Sequence, residues 1–332
     1  MNEFEIIGLL TKNAPGSAGS LRVGVGDDCA VIEGDGWDWL VTTDALFEGV
    51  HFNFDYTTTR LLGRKSLSVN LSDIAAMGGQ PLFYTVSLGV PTGFPVTFLR
   101  ELYDGMEDIG KEAGATLIGG DTCMSKSGLV ISVTVLGKTV KGKAILRSTA
   151  KEGDAVYVTG KFGGAALGLE CLKKGMTGAK YAPFLKSYND PKARLGFGSW
   201  LAETGVVTSM VDVSDGLIAD LSHIADASNT GFEITAHLVP KPEGFSDAAG
   251  ELGLDPVRLA LTGGEDYELA FTVDAKKTGD FQNLLTGSKF RAVYPVTQIG
   301  VIKKDASHRV ILDESGKSLE FLKTGYDHFS EG

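Results

Sequence analysis

The sequence predicts a two-domain protein of the α/β or α+β class. Strand-like and helix-like segments alternate along both halves of the chain. The length of 332 residues exceeds what one hydrophobic core usually supports, because single cores stop growing at about 250 to 300 residues. The alternation breaks at a polar stretch, RSTAKEGD at 147–154, and then restarts. We therefore expect domains of 1–149 and 150–332.

The first half is expected to form one α/β unit. Strands are predicted at 39–46 and 128–140, and helices at 58–77 and 97–113. The first helix should end at Gly78 and Gly79, with Pro81 just beyond, because glycine and proline terminate helices. Another alternating unit follows in the second half of the chain.

The second half restarts with a strand at 155–160, a glycine-rich turn and a helix through Lys174. Further segments then follow in order, namely a strand around 209–213, a helix to about Ser228, a strand at 231–238, the run 262–273 and two strand-like runs before GYDHF at 325–329. The turn GKFGGAALG at 160–168 suits either a phosphate cradle or close packing of a helix on a sheet.

Composition excludes several classes of protein. A net charge of −11 argues against binding to nucleic acid or to an anionic membrane, since both need a basic face. The chain shows neither a signal peptide nor an apolar run of the roughly 18 residues that a membrane span needs. Cys29, Cys123 and Cys171 are too widely spaced for a zinc site or a disulfide framework. We therefore expect a cytoplasmic protein.

Aspartates recur at or just beyond apolar runs. This is true of Asp28, Asp44, Asp121, Asp212 and Asp215, whereas Asp73 lies late in a predicted helix. Ligands gather at strand ends in α/β folds, so we expect these carboxylates to converge. Each of them taken alone equally suits a turn or a helix cap.

Converging carboxylates repel one another unless cations lie between them, and hard oxygen ligands favour Mg²⁺. Several magnesium ions held in this way most often handle phosphates, which points to nucleotide chemistry. Neither common nucleotide loop is present. The segment GKTVKGKA ends in Ala144 where a Walker motif needs Ser or Thr, and GVGDDC lacks the third glycine of a dinucleotide loop.

Seven short blocks resemble the thiamine-monophosphate kinase family. They are GDDCAV at 26–31, TTDALFEGVHF at 42–52, GRKSLSVNLSDIAAMGG at 63–79, LIGGDT at 117–122, DVSDGL at 212–217, GGEDYEL at 263–269 and GYDHF at 325–329. The blocks stand in the family's order and span nearly the whole chain. The resemblance implies the fold of aminoimidazole ribonucleotide synthetase and a homodimer that pairs the N-terminal sheets. It also implies transfer of the ATP γ-phosphate to thiamine monophosphate, giving thiamine diphosphate.

The resemblance also implies roles for individual residues. Magnesium ligands would be Asp28, Thr42, Thr43, Asp44, Asp73, Asp121, Asp212 and Asp215. ATP would contact Tyr103, Gly120, Asp121, Arg147 and Ser214. Thiamine monophosphate would contact His51, Glu265 and Tyr326. No catalytic base is expected, because the acceptor phosphate is already anionic and transfer needs mainly charge neutralisation and in-line positioning.

The sequence leaves some interpretations of residue roles and of function open. Relatives often carry an aromatic residue where this chain has Lys323, so Phe321 or Tyr326 would have to supply the ring beside the acceptor. On its own, Arg147 equally suits an exposed surface arginine, and His51 a packing residue. The alternative functions are another ATP-dependent enzyme of this fold, of the aminoimidazole ribonucleotide synthetase or selenophosphate synthetase type, and a non-catalytic nucleotide-binding regulator.

Overall fold

The computed structural model describes residues 3–321 and 325–326. Each half of the chain builds one sheet covered by helices, as the class prediction requires. Among the described residues, no helix is both long enough and apolar enough to cross a membrane.

Within the described residues, the N-terminal sheet has six strands. They are β1 (Leu21–Val23), β2 (Ala30–Glu33), β3 (Trp37–Phe47), β4 (Gln80–Pro91), β5 (Thr116–Ser125) and β6 (Val130–Val140), arranged β1-β2-β3-β6-β4-β5. Only β4 and β5 pair in parallel; the other neighbours are antiparallel. The helices of this half are α1 (Glu3–Thr11), α2 (Thr59–Ala76) and α3 (Val96–Ala113).

Helices α2 and α3 pack closely because each of them carries a glycine that faces the backbone of the other helix. A Cβ on Gly63 would lie 1.9 Å from the Leu102 carbonyl oxygen, and one on Gly105 would lie 2.0 Å from the Arg60 carbonyl oxygen. Any larger side chain at either position would therefore push the helices apart. Helix α2 begins at the predicted place, where the Thr58 hydroxyl accepts the Leu61 N–H at 3.3 Å.

The C-terminal sheet has seven strands in the part of the chain that the structure describes. They are β7 (Ala155–Thr159), β8 (Val207–Val213), β9 (Gly231–Thr235), β10 (Glu268–Val273), β11 (Val296–Lys303), β12 (Arg309–Leu312) and β13 (Ser318–Leu319), arranged β13-β12-β9-β11-β7-β10-β8. Its helices are α4 (Gly164–Lys173), α5 (Ala182–Asn189), α6 (Leu195–Thr204), α7 (Leu217–Ser228), α8 (Phe245–Glu251), α9 (Pro256–Thr262) and α10 (Thr278–Gly287). Every residue of β7 and β10 is buried, so helices cover both faces at the centre of this sheet.

Helix α2 also joins the two halves. The Ser68 hydroxyl donates to the Pro191 carbonyl at 2.6 Å, and Arg64 Nε lies 2.7 Å from Asp190 Oδ1. A Cβ on Gly198 of α6 would lie only 2.1 Å from the Ala75 carbonyl oxygen, which shows how closely the helices approach. Nearly all of α2 is buried as a result. The predicted boundary at 149/150 lies between the two sheets and remains a prediction.

The predicted segments correspond well to the observed elements. Strands expected at 39–46 and 128–140 are β3 and β6, and the two N-terminal helices are α2 and α3. Several elements have no counterpart among the predicted segments, and these are α1, β1, β2, β4, β5, α5, α6, α8, α9 and α10. In α6, LGFGSWLAET, two glycines and two aromatic residues are poor helix formers and hide the helical pattern. Of the last block, 325–329, only Gly325 and Tyr326 lie within the described residues, and Lys323 lies outside them.

Candidate active site

Three of the predicted aspartates meet between the domains. Asp28 precedes β2, Asp73 lies on α2 and Asp212 lies on β8, and carboxylate oxygens of all three fall within 4.8 Å of one another. The first two belong to the N-terminal half and the third to the C-terminal half. The structure therefore brings together carboxylates that are far apart in the sequence, in a cluster that both domains complete.

Burial and mutual repulsion make the ionised state of this cluster costly without a cation. Burial first, and then the charges of Asp44, Asp212 and Asp28, raise the pKa of Asp73 well above its usual range. Burial and Asp28 do the same to the pKa of Asp212. Burial also raises the pKa of Asp44 to about 6. A group of acids that resist ionisation in this way is a common property of functional sites.

The donor set suits a hard divalent cation. Asp28 Oδ2 and Asp212 Oδ2 are buried and accept no hydrogen bond of good geometry from the described part of the chain, although the nearby Ser72 hydroxyl lowers the pKa of Asp212 against the effect of burial. Buried carboxylate oxygens are normally satisfied, so these orphaned atoms point to an absent partner. Thr42 donates its hydroxyl to Asp73 Oδ2 and so orients that carboxylate, and the Asp44 backbone N–H donates to Asn70 Oδ1 at 2.9 Å, which ties β3 to α2. Oxygen ligands of this kind fit Mg²⁺.

Arg147 lies against the same cluster. Its Nη2 is 2.5 Å from Asp28 Oδ1, and its backbone N–H donates to Asp27 Oδ2 at 3.2 Å. Although burial opposes the charged form, Asp28 and Asp27 raise the pKa of the guanidinium, so it stays charged. The hydroxyls of Ser209 and Ser228 hold its backbone carbonyl at 2.9 and 2.8 Å. The arginine is therefore a fixed cation at the edge of the carboxylate cluster rather than a surface residue.

A second group surrounds the predicted residue Asp215. Ligand atoms of Asp215, Asp220 and His223 lie within 4.8 Å of one another. Asp220 also accepts the N–H groups of Asp215 and Gly216, each at 3.1 Å, and so shapes the turn that enters α7. The sequence offered a signal for Asp220 and His223 that our prediction did not use, since they stand three residues apart on one helix face close after Asp215.

Two of the three residues predicted to bind the acceptor, His51 and Glu265, belong to a third group. His51 accepts the Phe47 N–H on Nδ1 at 3.0 Å, and its backbone carbonyl accepts the Tyr188 hydroxyl at 3.1 Å. Glu265 lies 2.8 Å from the ammonium of Lys65. Lys65 and Tyr188 were missed by sequence reasoning, although Lys65 stands inside a recognised block as a charged residue of a buried helix. Tyr326 approaches the second group, because its N–H donates to the Asp215 carbonyl at 2.9 Å.

Several predicted residues lie away from the carboxylate cluster. The Thr43 hydroxyl bonds the Val133 carbonyl at 3.1 Å and points to the face of β3 opposite Thr42 and Asp44. Tyr103 packs on α3 against the N-terminal core. Ser214 was also predicted to contact ATP, and its carbonyl oxygen accepts the Glu265 N–H at 2.7 Å.

Gly120 and Asp121 lie on the exposed edge strand β5. Cross-strand register puts Asp121 in one row with Ser87, Ser132 and Ala45. That row is on the sheet face opposite Asp44, and three strand spacings of about 4.8 Å separate β3 from β5. Within one chain, Asp121 therefore cannot join the cluster.

One sequence expectation about these aspartates is corrected. We expected them at strand ends, at or just beyond apolar runs, yet Asp44 lies inside β3 and Asp121 lies inside β5. The apolar runs that precede them are only the first parts of long strands, which continue through polar residues because the sheet's outer face is open to solvent.

The pKa shifts predict how the metal-free protein responds to pH. Burial raises the pKa from 3.8 to about 7 for Asp27 and Asp266 and to about 6 for Asp44. Between the unfolded pKa of 3.8 and the raised folded pKa, the folded state binds more protons than the unfolded state. The free energy of unfolding should therefore fall as the pH rises from about 4 to about 7. His223, whose pKa burial lowers to about 4, opposes this trend below pH 6.5, but it is one group against several.

Urea unfolding in EDTA at pH 5 and at pH 7.5 measures this effect. We expect the higher midpoint at pH 5, and a smaller difference when Mg²⁺ is added, since the ion favours the ionised carboxylates. A midpoint in EDTA that increases with pH would contradict the expectation.

Comparisons with known proteins were made on the whole chain. Residues 26–139 match the family model "AIR synthase related protein, N-terminal domain", and residues 151–313 match "AIR synthase related protein, C-terminal domain". The thiamine-monophosphate kinase of Bacillus subtilis is 36% identical over 99% of this chain and 100% of its own length.

Two solved structures are similar over nearly their full length. One is AaThiL complexed with AMPPCP and TMP, with a TM-score of 0.84 and 29% identity over 99% of this chain and 97% of that chain. The other is thiamine-monophosphate kinase from Stenotrophomonas maltophilia K279a, with a TM-score of 0.75 and 32% identity over 95% of this chain and 96% of that chain.

Proposed function

Because this chain belongs to the thiamine-monophosphate kinase family, we infer that it transfers the γ-phosphate of ATP to thiamine monophosphate and forms thiamine diphosphate and ADP. The observation that carries this inference is the 36% identity with a thiamine-monophosphate kinase along the entire chain. The complex of a similar protein with AMPPCP, a non-hydrolysable ATP analogue, and TMP supports the same pair of substrates.

The alternatives fit less well. A synthetase of the same fold would share the nucleotide site but not the full-length identity with a kinase. A non-catalytic regulator would have no need of a costly cluster of buried carboxylates, yet Asp28, Asp73 and Asp212 are all present and close together. The cysteines are free, and together with ATP as a substrate this supports a cytoplasmic location.

We propose that Asp28, Asp44, Asp73 and Asp212 hold magnesium ions, with Thr42 orienting Asp73. Asp215 would contribute to a further ion beside the second group. Bound Mg²⁺ supplies charge neutralisation for two phosphate groups that otherwise repel each other. Thr43 would take part only through its backbone, because its hydroxyl faces the other side of the sheet.

Arg147 is the residue we assign to the ATP phosphates. Its guanidinium offers several N–H donors in a planar fork, which matches phosphate oxygens. The contact with Asp28 must open before Arg147 can use that donor, so magnesium at Asp28 and ATP at Arg147 would favour each other's binding. No residue has to remove a proton, because the attacking phosphate oxygen of the acceptor carries negative charge at neutral pH.

We further propose that the protein works as a homodimer that pairs its N-terminal sheets. Strand β5 is a ten-residue edge strand whose side chains are almost all exposed, including Leu117, Ile118 and Met124 at 39%, 55% and 67%. Exposed apolar edge strands usually pair with another chain. A second copy seated here would place Gly120 and Asp121 at the interface between the subunits, and we propose that they act in the site of the partner.

An assay of the purified protein tests the proposed function. With Mg²⁺, ATP and thiamine monophosphate, we expect thiamine diphosphate and ADP to form in equal amounts, measured by separation of the thiamine esters and of the nucleotides. Thiamine without its phosphate is the control acceptor, and it should give no product because it lacks the anionic oxygen that attacks. ADP without thiamine diphosphate would contradict the assignment.

A further inference from the structure

A buried lysine joins the two domains beside the residues assigned to the acceptor. Lys65 lies on α2 and is only 3% exposed. Its Nζ is 2.8 Å from Glu265 Oε1 and 3.6 Å from the centre of the Tyr188 ring. The residue therefore makes one ion pair and one cation–π contact, both with the C-terminal half of the chain.

Stability alone explains this lysine poorly. Removing an ammonium ion from water costs several kcal/mol, and a buried ion pair often stabilises no better than apolar side chains of the same size. Lysine is seldom buried unless it is paired. Moreover, Nζ makes no hydrogen bond of good geometry with the described residues. A role in binding is a better reason for its position.

Glu265 shows the strain that often marks a ligand site. Its φ is 68°, in the left-handed region, and Tyr267 two residues later has a φ of 49°. Each such residue costs on the order of 1 to 3 kcal/mol and persists only where the surroundings enforce it. The Glu265 N–H donates to the Ser214 carbonyl at 2.7 Å, which fixes the strained turn. The backbone conformation of Glu265 thus fixes the position from which its side chain extends.

Lys65 then fixes the orientation of the Glu265 carboxylate. It engages Oε1, while Oε2 accepts no hydrogen bond from residues 3–321 or 325–326, and the side chain remains 26% exposed. The Tyr188 ring beneath the ammonium is buried, and its hydroxyl holds the His51 carbonyl at 3.1 Å. The lysine is thereby linked to both residues assigned to the acceptor, Glu265 directly and His51 through Tyr188.

We propose that Lys65 is a positioning residue for the acceptor. It fixes Glu265 and, through Tyr188, the His51 segment, so that Oε2 faces the amino-substituted heterocycle of the incoming substrate. This rests on the proposed function, since it concerns the acceptor half of that site. A carboxylate that is already oriented loses less conformational entropy when the substrate binds than a mobile one does, so the affinity for the substrate is higher.

The Lys65→Met variant tests the proposal, because methionine keeps the apolar stem and removes the charge. We expect the KM for thiamine monophosphate to rise about tenfold, the effect of losing one charge-assisted contact. The kcat and the KM for ATP should stay within about twofold, since the metal cluster is untouched. Calorimetric titration with thiamine monophosphate alone should show the same loss of affinity without turnover.

Three further variants sharpen the test. Lys186→Met removes an exposed lysine on α5 and should change nothing. Lys65→Arg keeps the charge and should retain more of the affinity than Lys65→Met. Lys65→Gln removes the charge but keeps a polar N–H group, and it replaces the methionine variant if thermal unfolding shows that Lys65→Met is not folded. We expect Lys65→Gln to raise the KM for thiamine monophosphate about threefold.

The outcomes separate this proposal from the assigned function. An active wild type together with a folded Lys65→Met variant of unchanged KM for thiamine monophosphate would overturn the positioning role alone. An equal rise of both KM values would also overturn it, since that result indicates a general disturbance. A wild type that neither binds nor phosphorylates thiamine monophosphate would instead overturn the proposed function, and the positioning role with it.

Discussion

Replacing Asp73 with asparagine is expected to reduce kcat at least about a hundredfold while raising the stability of the metal-free protein. The loss of activity follows because Asp73 is one of the carboxylates that we propose as magnesium ligands, and groups of this kind are worth several kcal/mol in the transition state. The gain in stability follows because Asp73 lies within 4.8 Å of two other carboxylates. Asparagine can still accept the hydrogen bond that Thr42 donates.

Thermal unfolding with and without Mg²⁺ checks both halves of this prediction. In EDTA, Asp73→Asn should melt above the wild type, and the rise in melting temperature that Mg²⁺ gives the wild type should be smaller in the variant. The matched control is Asp35→Asn in the exposed turn before β3, which should leave activity and melting unchanged. Near-normal turnover in Asp73→Asn would remove this residue from the metal site.

Mixing two inactive variants should restore about a quarter of the wild-type activity. We expect Asp121→Asn and Asp73→Asn each to be inactive as homodimers, because each lacks one part of the site. If Asp121 acts in the partner's site, a mixed dimer has one site that is intact and one that lacks both residues. Random exchange of subunits makes half of the dimers mixed, and each mixed dimer has half its sites active.

The experiment mixes the purified variants, allows subunits to exchange and measures thiamine diphosphate formation. Mixing Asp73→Asn with Asp28→Asn is the control, because Asp28 and Asp73 meet within one chain and no arrangement of subunits restores a site. Activity that stays absent in the first mixture, with exchange confirmed by mass spectrometry, would place Asp121 in the site of its own chain. A monomer by light scattering would exclude the homodimer.

Much of the fold could be predicted because it depends on local patterns. Alternating apolar residues mark β3 and β6, and the glycines after Met77 mark the end of α2. The convergence of Asp28, Asp73 and Asp212 could be predicted as well, since residues beside apolar segments of an α/β fold tend to share one crevice. The resemblance then supplied what those carboxylates do.

Other features could not be predicted, because they depend on how distant segments meet. Strand register decides that Asp121 faces away from Asp44. That register cannot be predicted from a local pattern, because each strand pairs with strands that lie far away in the sequence. The pairing of Arg147 with Asp28 likewise needs the segment after β6 to return beside β2.

The sequence by itself determined the class of the fold, the family and the supply of aspartates from which the carboxylate cluster is built. The tertiary structure decided which acids meet, which face each occupies and that Lys65 reaches Glu265 across the domain boundary. The physical reason lies in the range of the interactions. Burial patterns repeat every few residues and can be read along the chain, whereas the field at a buried charge depends on groups that only the packing of both domains brings close.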